Sequence, residues 1–473
     1  MGSLLAEAGG LLLSWALGLA LTRPFFDLSV TSTRLLWMSI SLGFGTGLSS
    51  VVWFFLWLCP SFPPYVAGLG ELALLIVIWR FGGKFLLSAG SPQITGPSLE
   101  TESTFTRVVL AVGAACLILC LVYGWMFNWY VPDGEWDAWA IWNLHARMLA
   151  RAPALWRSHL LQLPYSHPDY PLLQPLTTAR LWMFAGEELP SATKLVTFVF
   201  GFSPILVVSS SLAVLKSWTH GAIALVFLAG SGSLVHLGIS QYADSAVSLF
   251  LVSTFALLTA ASVYQQKGLA CLAGLSAGFG AWVKNEGALF VVALVLVALL
   301  LAIKPANRPQ LKALTWPFII GLILPALCLA VFRTLVPAPS DVMSWVLDWK
   351  RWTVGFRGKR IWLILKSFGN RIWKIEPWPL PPLAWVLIFF DTVGASGSGR
   401  ALRSGIRGLA VLGVMVLGYV VIYATSAPDL VWYLNTSQQR LILQLWPAFI
   451  FLLFLLTGDP VGRAPRHIDN PSG

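Results

Sequence analysis

The chain has 473 residues, of which 57% are apolar and 11% charged, with a mean hydropathy of +0.75. A soluble domain carries about 25% charged residues, so a soluble enzyme is excluded. The net charge of +11 would suit nucleic acid, but the Lys and Arg residues are scattered over loops rather than gathered on a soluble domain. Anionic headgroups and phosphates are the expected partners instead, with no nucleic acid.

Runs of about 20 apolar residues, the length that crosses a bilayer as a helix, recur from end to end. The fold class is therefore an all-α polytopic membrane protein of about 11–13 transmembrane helices. Thirteen candidate spans are 3–22, 35–59, 64–82, 107–129, 193–215, 219–238, 245–264, 268–283, 287–303, 313–335, 379–396, 408–425 and 441–458. The first has no basic region before it and no small-residue cleavage site, and reads as a span rather than a cleaved signal. Cys59, Cys116, Cys120, Cys271 and Cys328 lie in or at the ends of spans without a CxxC pair. They read as small buried apolar residues, not as a disulfide framework or a thiol metal site.

The organisation follows the spans: N-terminal spans (1–129), an external catalytic loop with interfacial helices (130–192), a transmembrane core (193–335), an external basic and aromatic segment (336–378), C-terminal spans (379–458) and a polar cytoplasmic tail (459–473). Short loops with Arg23, Arg34, Arg80, Lys84, Arg107, Lys216, Lys267, Lys304, Arg308, Lys312, Arg400, Arg403 and Arg407 alternate to one face, the cytoplasmic one by the charge rule. Asp137, Asp169, Asp244, the Lys284-Asn285-Glu286 triplet and Arg440 then share the external face. Between 336 and 378, Trp345, Trp349, Lys350, Arg351, Trp352, Arg357, Lys359, Arg360, Trp362, Lys366, Arg371, Trp373 and Lys374 fit helices lying at headgroup depth. No internal repeat argues for a transporter of two related halves.

Region 131–190 holds the chemistry. Asp133, Glu135 and Asp137 fall within five residues, directly after a span. A carboxylate at the mouth of a membrane protein costs desolvation and so has a task or a partner. One task is general base towards an acceptor hydroxyl or amine, with neighbouring acids and partial burial tuning its basicity. The alternative is a set of solvated loop acids, or an N-cap for a helix starting near Trp139.

The strings Trp136-Asp137-Ala138-Trp139-Ala140-Ile141-Trp142-Asn143, Ala146-Arg147-Met148-Leu149, His167-Pro168-Asp169-Tyr170-Pro171-Leu172-Leu173, Tyr242-Ala243-Asp244, Lys284-Asn285-Glu286-Gly287 and Asn435-Thr436-Ser437-Gln438-Gln439-Arg440 follow in this order. Together they resemble the GT-C glycosyltransferases, the bacterial branch akin to protein mannosyltransferases and aminoarabinose transferases, over about residues 106–458. The resemblance implies an inverting sugar transfer from a polyprenyl-phosphate donor on the external, periplasmic side of the bacterial cytoplasmic membrane. It puts the base on Asp137, and the acceptor is a glycan, lipid or protein. Two departures stand out: Ala138 follows Asp137 where better-known relatives carry an Asp-Glu pair, and three extra spans precede the usual first one.

Such a donor brings its own leaving group, so the protein supplies a base and cations for the departing phosphate. Lys284 and Arg440 sit at external span ends within polar clusters, with Arg147 as a third cation. Snorkelling, pairing of Lys284 with Glu286, or interfacial anchoring are the plainer readings. Asp133, Glu135, His167, Asp169, Asp244 and Glu286 are candidates for positioning acceptor or sugar. Asp169 holds an acceptor group, pairs with an arginine, joins Asp137 around a divalent cation, or is a structural loop acid; Asp244 is otherwise an N-cap. His145 and His167 share no helix face, so no metal is required. Rival functions are a transporter or flippase for lipid-linked sugar, a non-catalytic assembly subunit, and a polymer ligase using a lipid-diphosphate donor.

Overall fold

The computed structural model describes residues 2–59, 63–86, 93–376, 378, 380–396, 399–427 and 429–461, the side chains of 64 and 83–86 excepted. The Lys84 side chain, most of the 60–63 loop and the tail from 462 onward lie outside these residues.

Twenty α-helices follow one another. The N-terminal group is α1 (Gly2–Thr22), α2 (Thr31–Trp57), α3 (Pro64–Leu86) and α4 (Thr104–Tyr130). Region 131–190 carries α5 (Asn143–Arg151), α6 (Trp156–Leu161) and α7 (Leu173–Ala185). The core comprises α8 (Pro190–Leu215), α9 (Trp218–Ala229), α10 (Gly232–Ile239), α11 (Asp244–Tyr264), α12 (Lys267–Val283), α13 (Asn285–Ala302) and α14 (Arg308–Leu335). After it come α15 (Asp341–Leu347), α16 (Trp349–Gly355), α17 (Gly358–Trp373), α18 (Pro382–Val393), α19 (Arg400–Thr425) and α20 (Leu430–Leu456).

Ten of these helices are long and apolar enough to cross a membrane, and eleven spans result if α9 and α10 count as one. The chain is a multi-pass membrane protein. Three of the thirteen expected spans change character. The helix expected at 268–283 is α12, with 17 residues; the one expected at 379–396 is α18, with 12, its start delayed by Pro381 and Pro382. The span expected at 219–238 is bent by 71° between α9 and α10. At the break, Ser231 caps α10 by accepting from the Leu234 amide at 3.4 Å, and the buried Glu376 carboxylate accepts from the Ser231 hydroxyl and the Ser233 amide. A hydropathy window averages over such a break and cannot see it.

Packing explains why short α12 suffices. Phe318 O and Cys271 O lie 1.9 and 1.8 Å from where a Cβ on Gly274 or Gly321 would sit, so α12 and α14 touch backbone to backbone. α12 also carries the chain back from the far end of α11 to Lys284, beside the start of α11 at Asp244. Region 131–190 is more deeply folded than a surface loop: α7 is buried from Leu173 to Trp182 and packs on α1, α2 and α5.

The two ends of the bundle are chemically distinct. At one end, Tyr264 donates to Thr95 O, Trp218 to Pro97 O, Lys216 to Thr457 O, Arg400 to Val263 O and Arg407 to Asn307 and Gln310. The cation-bearing short loops are thus gathered there. Of the five free cysteines only Cys328 is buried and Cys59 is exposed, a correction to their expected burial. A cysteine facing lipid satisfies an apolar span as well as one in the core.

Candidate functional site

Region 131–190 begins with a turn that only glycine permits. Gly134 has φ +74, and a Cβ there would lie 2.6 Å from Ala138 Cβ and 2.8 Å from Ser240 O. The Glu135 amide then donates to Ser240 O at 3.2 Å, fixing the turn against the end of α10. Residues 138–142 form one π-helical turn before α5, a widened turn frequent at functional sites. Asp137 precedes it without capping it by its side chain.

Freed from capping, the Asp137 carboxylate accepts from the Arg440 guanidinium, 303 residues away on α20. The pair is about one-fifth exposed. The guanidinium also covers the Tyr242 ring, 4.9 Å from its centroid. Burial, with Asp137 next in effect, pushes the Tyr242 hydroxyl up to about 12.

Beside this pair sits a buried ion triad. Lys284 Nζ lies 3.1 Å from both Asp244 Oδ1 and Glu286 Oε1. Lys284 is extended (φ −159, ψ 157), so the chain breaks between α12 and α13 there and the ammonium points inward. Burial opposes its charge, but the two carboxylates outweigh it and hold the ammonium protonated well beyond its ordinary range. Asp244 Oδ2 and Glu286 Oε2 are buried and have no hydrogen-bond donor among the described residues. A buried acceptor without a donor calls for water, an ion or a ligand.

A third group joins on. Asn285 donates to Asp169 Oδ2 at 2.7 Å, and Arg333 donates to Asn285 Oδ1 at 2.7 Å. Tyr170 lies under Lys284, 6.0 Å from the ring centroid, and stacks between Trp142 (5.3 Å, 6°) and His167 (4.8 Å, 13°). His167 adopts φ 51, a conformation that L side chains rarely take. Burial, then Glu286, pushes the Tyr170 hydroxyl well up.

The sequence candidates therefore divide. Asp137, Asp169, Asp244, Lys284, Glu286 and Arg440 converge, with Tyr170 and Tyr242 between them. Asp133 and Arg147 pair with each other at 2.6 Å on the exposed rim, where Glu188 also meets Arg147 and Arg151. Glu135 pairs with His236 at 3.0 Å; that hydrogen bond holds its carboxyl below the usual range. His145 is buried: Ser166 donates its proton to Ala140 O at 2.7 Å, so the 3.0 Å contact must be His145 Nε2–H donating to Ser166 Oγ. Burial lowers its pKa to about 4, which makes it a neutral structural group.

Four contributors were not read from the sequence. Arg333 ends α14, where it resembles any cation flanking a span. His236 lies in the apolar run Leu234-Val235-His236-Leu237, and a His in such a run was the available signal. Glu71 and Arg180 form a fully buried bidentate pair (2.7 and 2.6 Å) that joins α3 to α7, and Arg180 also donates to Gly10 O on α1.

No family model, no curated protein and no solved structure matches this chain.

Proposed function

We propose that the protein is an integral-membrane, GT-C-type inverting glycosyltransferase that moves a sugar from a polyprenyl-phosphate donor to an acceptor on the external face of a bacterial cytoplasmic membrane. One observation carries this reading: four separated stretches bring an accessible acid, Asp137, into contact with Arg440 and next to the Asp244–Lys284–Glu286 triad. The acceptor oxygen attacks the anomeric carbon while its proton passes to Asp137. The bond from that carbon to the phosphate oxygen breaks, and the electron pair leaves with the phosphate.

Arg440 is the cation nearest the base. A guanidinium carries five donors, so it serves Asp137 and a phosphate together. Lys284 is paired with two acids and contributes through its field. The open acceptors Asp244 Oδ2 and Glu286 Oε2 suit sugar hydroxyls. No cofactor enters this scheme.

The test uses purified protein in liposomes with radiolabelled polyprenyl-phosphate sugars. Wild type releases or transfers the label, and Asp137→Asn loses about 10²–10⁴-fold, the usual share of a general base, with insertion and folding unchanged. Full activity in that variant removes the mechanism. A second reading, a transporter for lipid-linked sugar, draws on the 71° break between α9 and α10, since broken helices line substrate paths in transporters. Movement of the labelled lipid between leaflets without bond cleavage favours it.

A further inference from the structure

The inward face of α17 carries a cation where an apolar residue is expected. Ile364, Ser367, Phe368, Arg371 and Ile372 share that face, while Trp362, Lys366 and Trp373 are turned outward and exposed. Arg371 is half-buried, and its contacts are the amide oxygens of Asn435 (3.3 Å) and Gln439 (3.5 Å) on α20. No carboxylate pairs with it among the described residues, as is also true of the half-buried Arg333, Arg360 and Arg407, whose hydrogen bonds go to neutral oxygens. Held by two long contacts to amide oxygens at the edge of an apolar slot, the Arg371 guanidinium keeps donors free for an anion.

One turn deeper lies an apolar cavity of about 110 Å³ between α17, α19 and α20, lined by Phe368, Ile372, Leu412, Val416, Leu445 and Trp446 among others, with no polar lining. At its upper edge the Gln438 oxygen accepts from Ser367 at 2.6 Å. The buried Gln438 amide nitrogen has no acceptor among the described residues. Three features thus follow one another along α20: a guanidinium without a carboxylate, an unused amide donor and an apolar slot for hydrocarbon.

This place is separate from the Asp137 centre. At 100° per residue, Gln438, Ile442, Leu445 and Phe449 cluster about 180° around α20 from Arg440. Arg440 faces Asp137 and Tyr242, and the cavity lies behind the helix. Asn435 and Gln439, which hold Arg371, lie about 140° and 100° around α20 from Arg440, so Arg371 sits at the flank of that helix and not over the base.

We propose that the structure contains a second lipid site, in which a few methylenes of one acyl chain of an anionic phospholipid from the surrounding leaflet occupy the α17–α19–α20 cavity and Arg371 binds its phosphate. The outward Trp and Lys residues of α17 hold that helix at headgroup depth, where such a phosphate is found. The proposal does not depend on the sugar-transfer reading.

The experiment titrates delipidated full-length protein with phosphatidylglycerol, phosphatidylcholine and a polyprenyl phosphate, read by native mass spectrometry of retained lipid and by thermal unfolding. Wild type is expected to retain phosphatidylglycerol about tenfold over phosphatidylcholine, because the two carry the same phosphate but the choline cation of the second is repelled by Arg371. Arg371→Gln abolishes the preference, and Leu412→Trp abolishes retention by filling the slot. In wild type alone the preference also declines with added salt. Equal retention of the two phospholipids, or an unchanged preference in Arg371→Gln, overturns the proposal. So does displacement of phosphatidylglycerol by polyprenyl phosphate with the same Arg371 dependence, which assigns the cavity to the donor.

Discussion

His145 shows how far one buried side chain moves the pH response of this fold. Above pH 6.5 its imidazole is neutral in folded and unfolded chains alike, so it adds no pH dependence. Below 6.5 the unfolded chain takes up a proton that the folded chain refuses until about pH 4. Stability therefore falls as pH drops through that window, by about 2 kcal/mol between pH 7 and pH 5. Thermal unfolding in detergent is expected to fall more steeply with acid for wild type than for His145→Asn; identical slopes would mean that the site is wet. At this scale the sequence was readable where polar residues are rare: Asp137, Asp169, Asp244, Lys284, Glu286 and Arg440 stood out against apolar surroundings, and they meet. What it did not reveal was long-range pairing. Lys284 with Glu286 was among the readings and is present, but Asp244–Lys284 and Asp137–Arg440 were not, because contact between residues so far apart in the chain depends on tertiary structure alone. Arg371 was named in its basic stretch but not singled out: one cation there looks like all the others until its helix face is known.

Between elements, two devices fix the N-terminal helices to the site. Gly18 and Gly45 let α1 and α2 approach until a Cβ on either would lie under 2 Å from a carbonyl oxygen of the other helix. Ser14–Ser49 and Thr22–Ser41 hydrogen bonds of 2.8 and 2.9 Å flank the crossing. Small residues at such crossings replace the hydrophobic drive that lipid removes. Gly18→Leu is thus expected to lower the unfolding midpoint sharply, and Leu17→Ala on the same turn less so. The Glu71–Arg180 pair ties α3 and α1 to α7, the helix that follows the Asp169 loop. Removing one partner strands a buried charge, at a cost of about 3–5 kcal/mol, whereas replacing both with apolar residues is close to neutral. A cycle of Glu71→Leu, Arg180→Met and the double variant measures this in unfolding midpoints. A double variant as damaged as either single one would show that the charges themselves are needed. Hydropathy found α1 and α3 but neither α7 nor the pair, since Arg180 lies in region 131–190, outside every expected span.

For the molecule as a whole, the separation of its two ends carries the topology. The site end collects Asp137, Asp169, Asp244, Lys284 and Arg440; the opposite end collects the loops of Lys216, Arg400 and Arg407, joined by hydrogen bonds. The charge rule assigns the second end to the cytoplasm. The weak link is α12, whose 17 residues rise about 25 Å against a hydrocarbon layer of about 30 Å. Its close backbone contact with α14 and its return to Lys284 make it a crossing all the same. Three exposed positions decide the matter in a variant with all five cysteines replaced: Gln162 beside α6, Gln265 between α11 and α12, and Ala306 between α13 and α14. In intact cells a membrane-impermeant maleimide should label Gln162→Cys, and should reach Gln265→Cys and Ala306→Cys only after permeabilisation. If α12 failed to cross while α13 does, Gln265 and Ala306 would lie on opposite sides and only one would need permeabilisation. If all three were labelled from outside, the basic end would not be cytoplasmic, and the external position of Asp137 would lose its support.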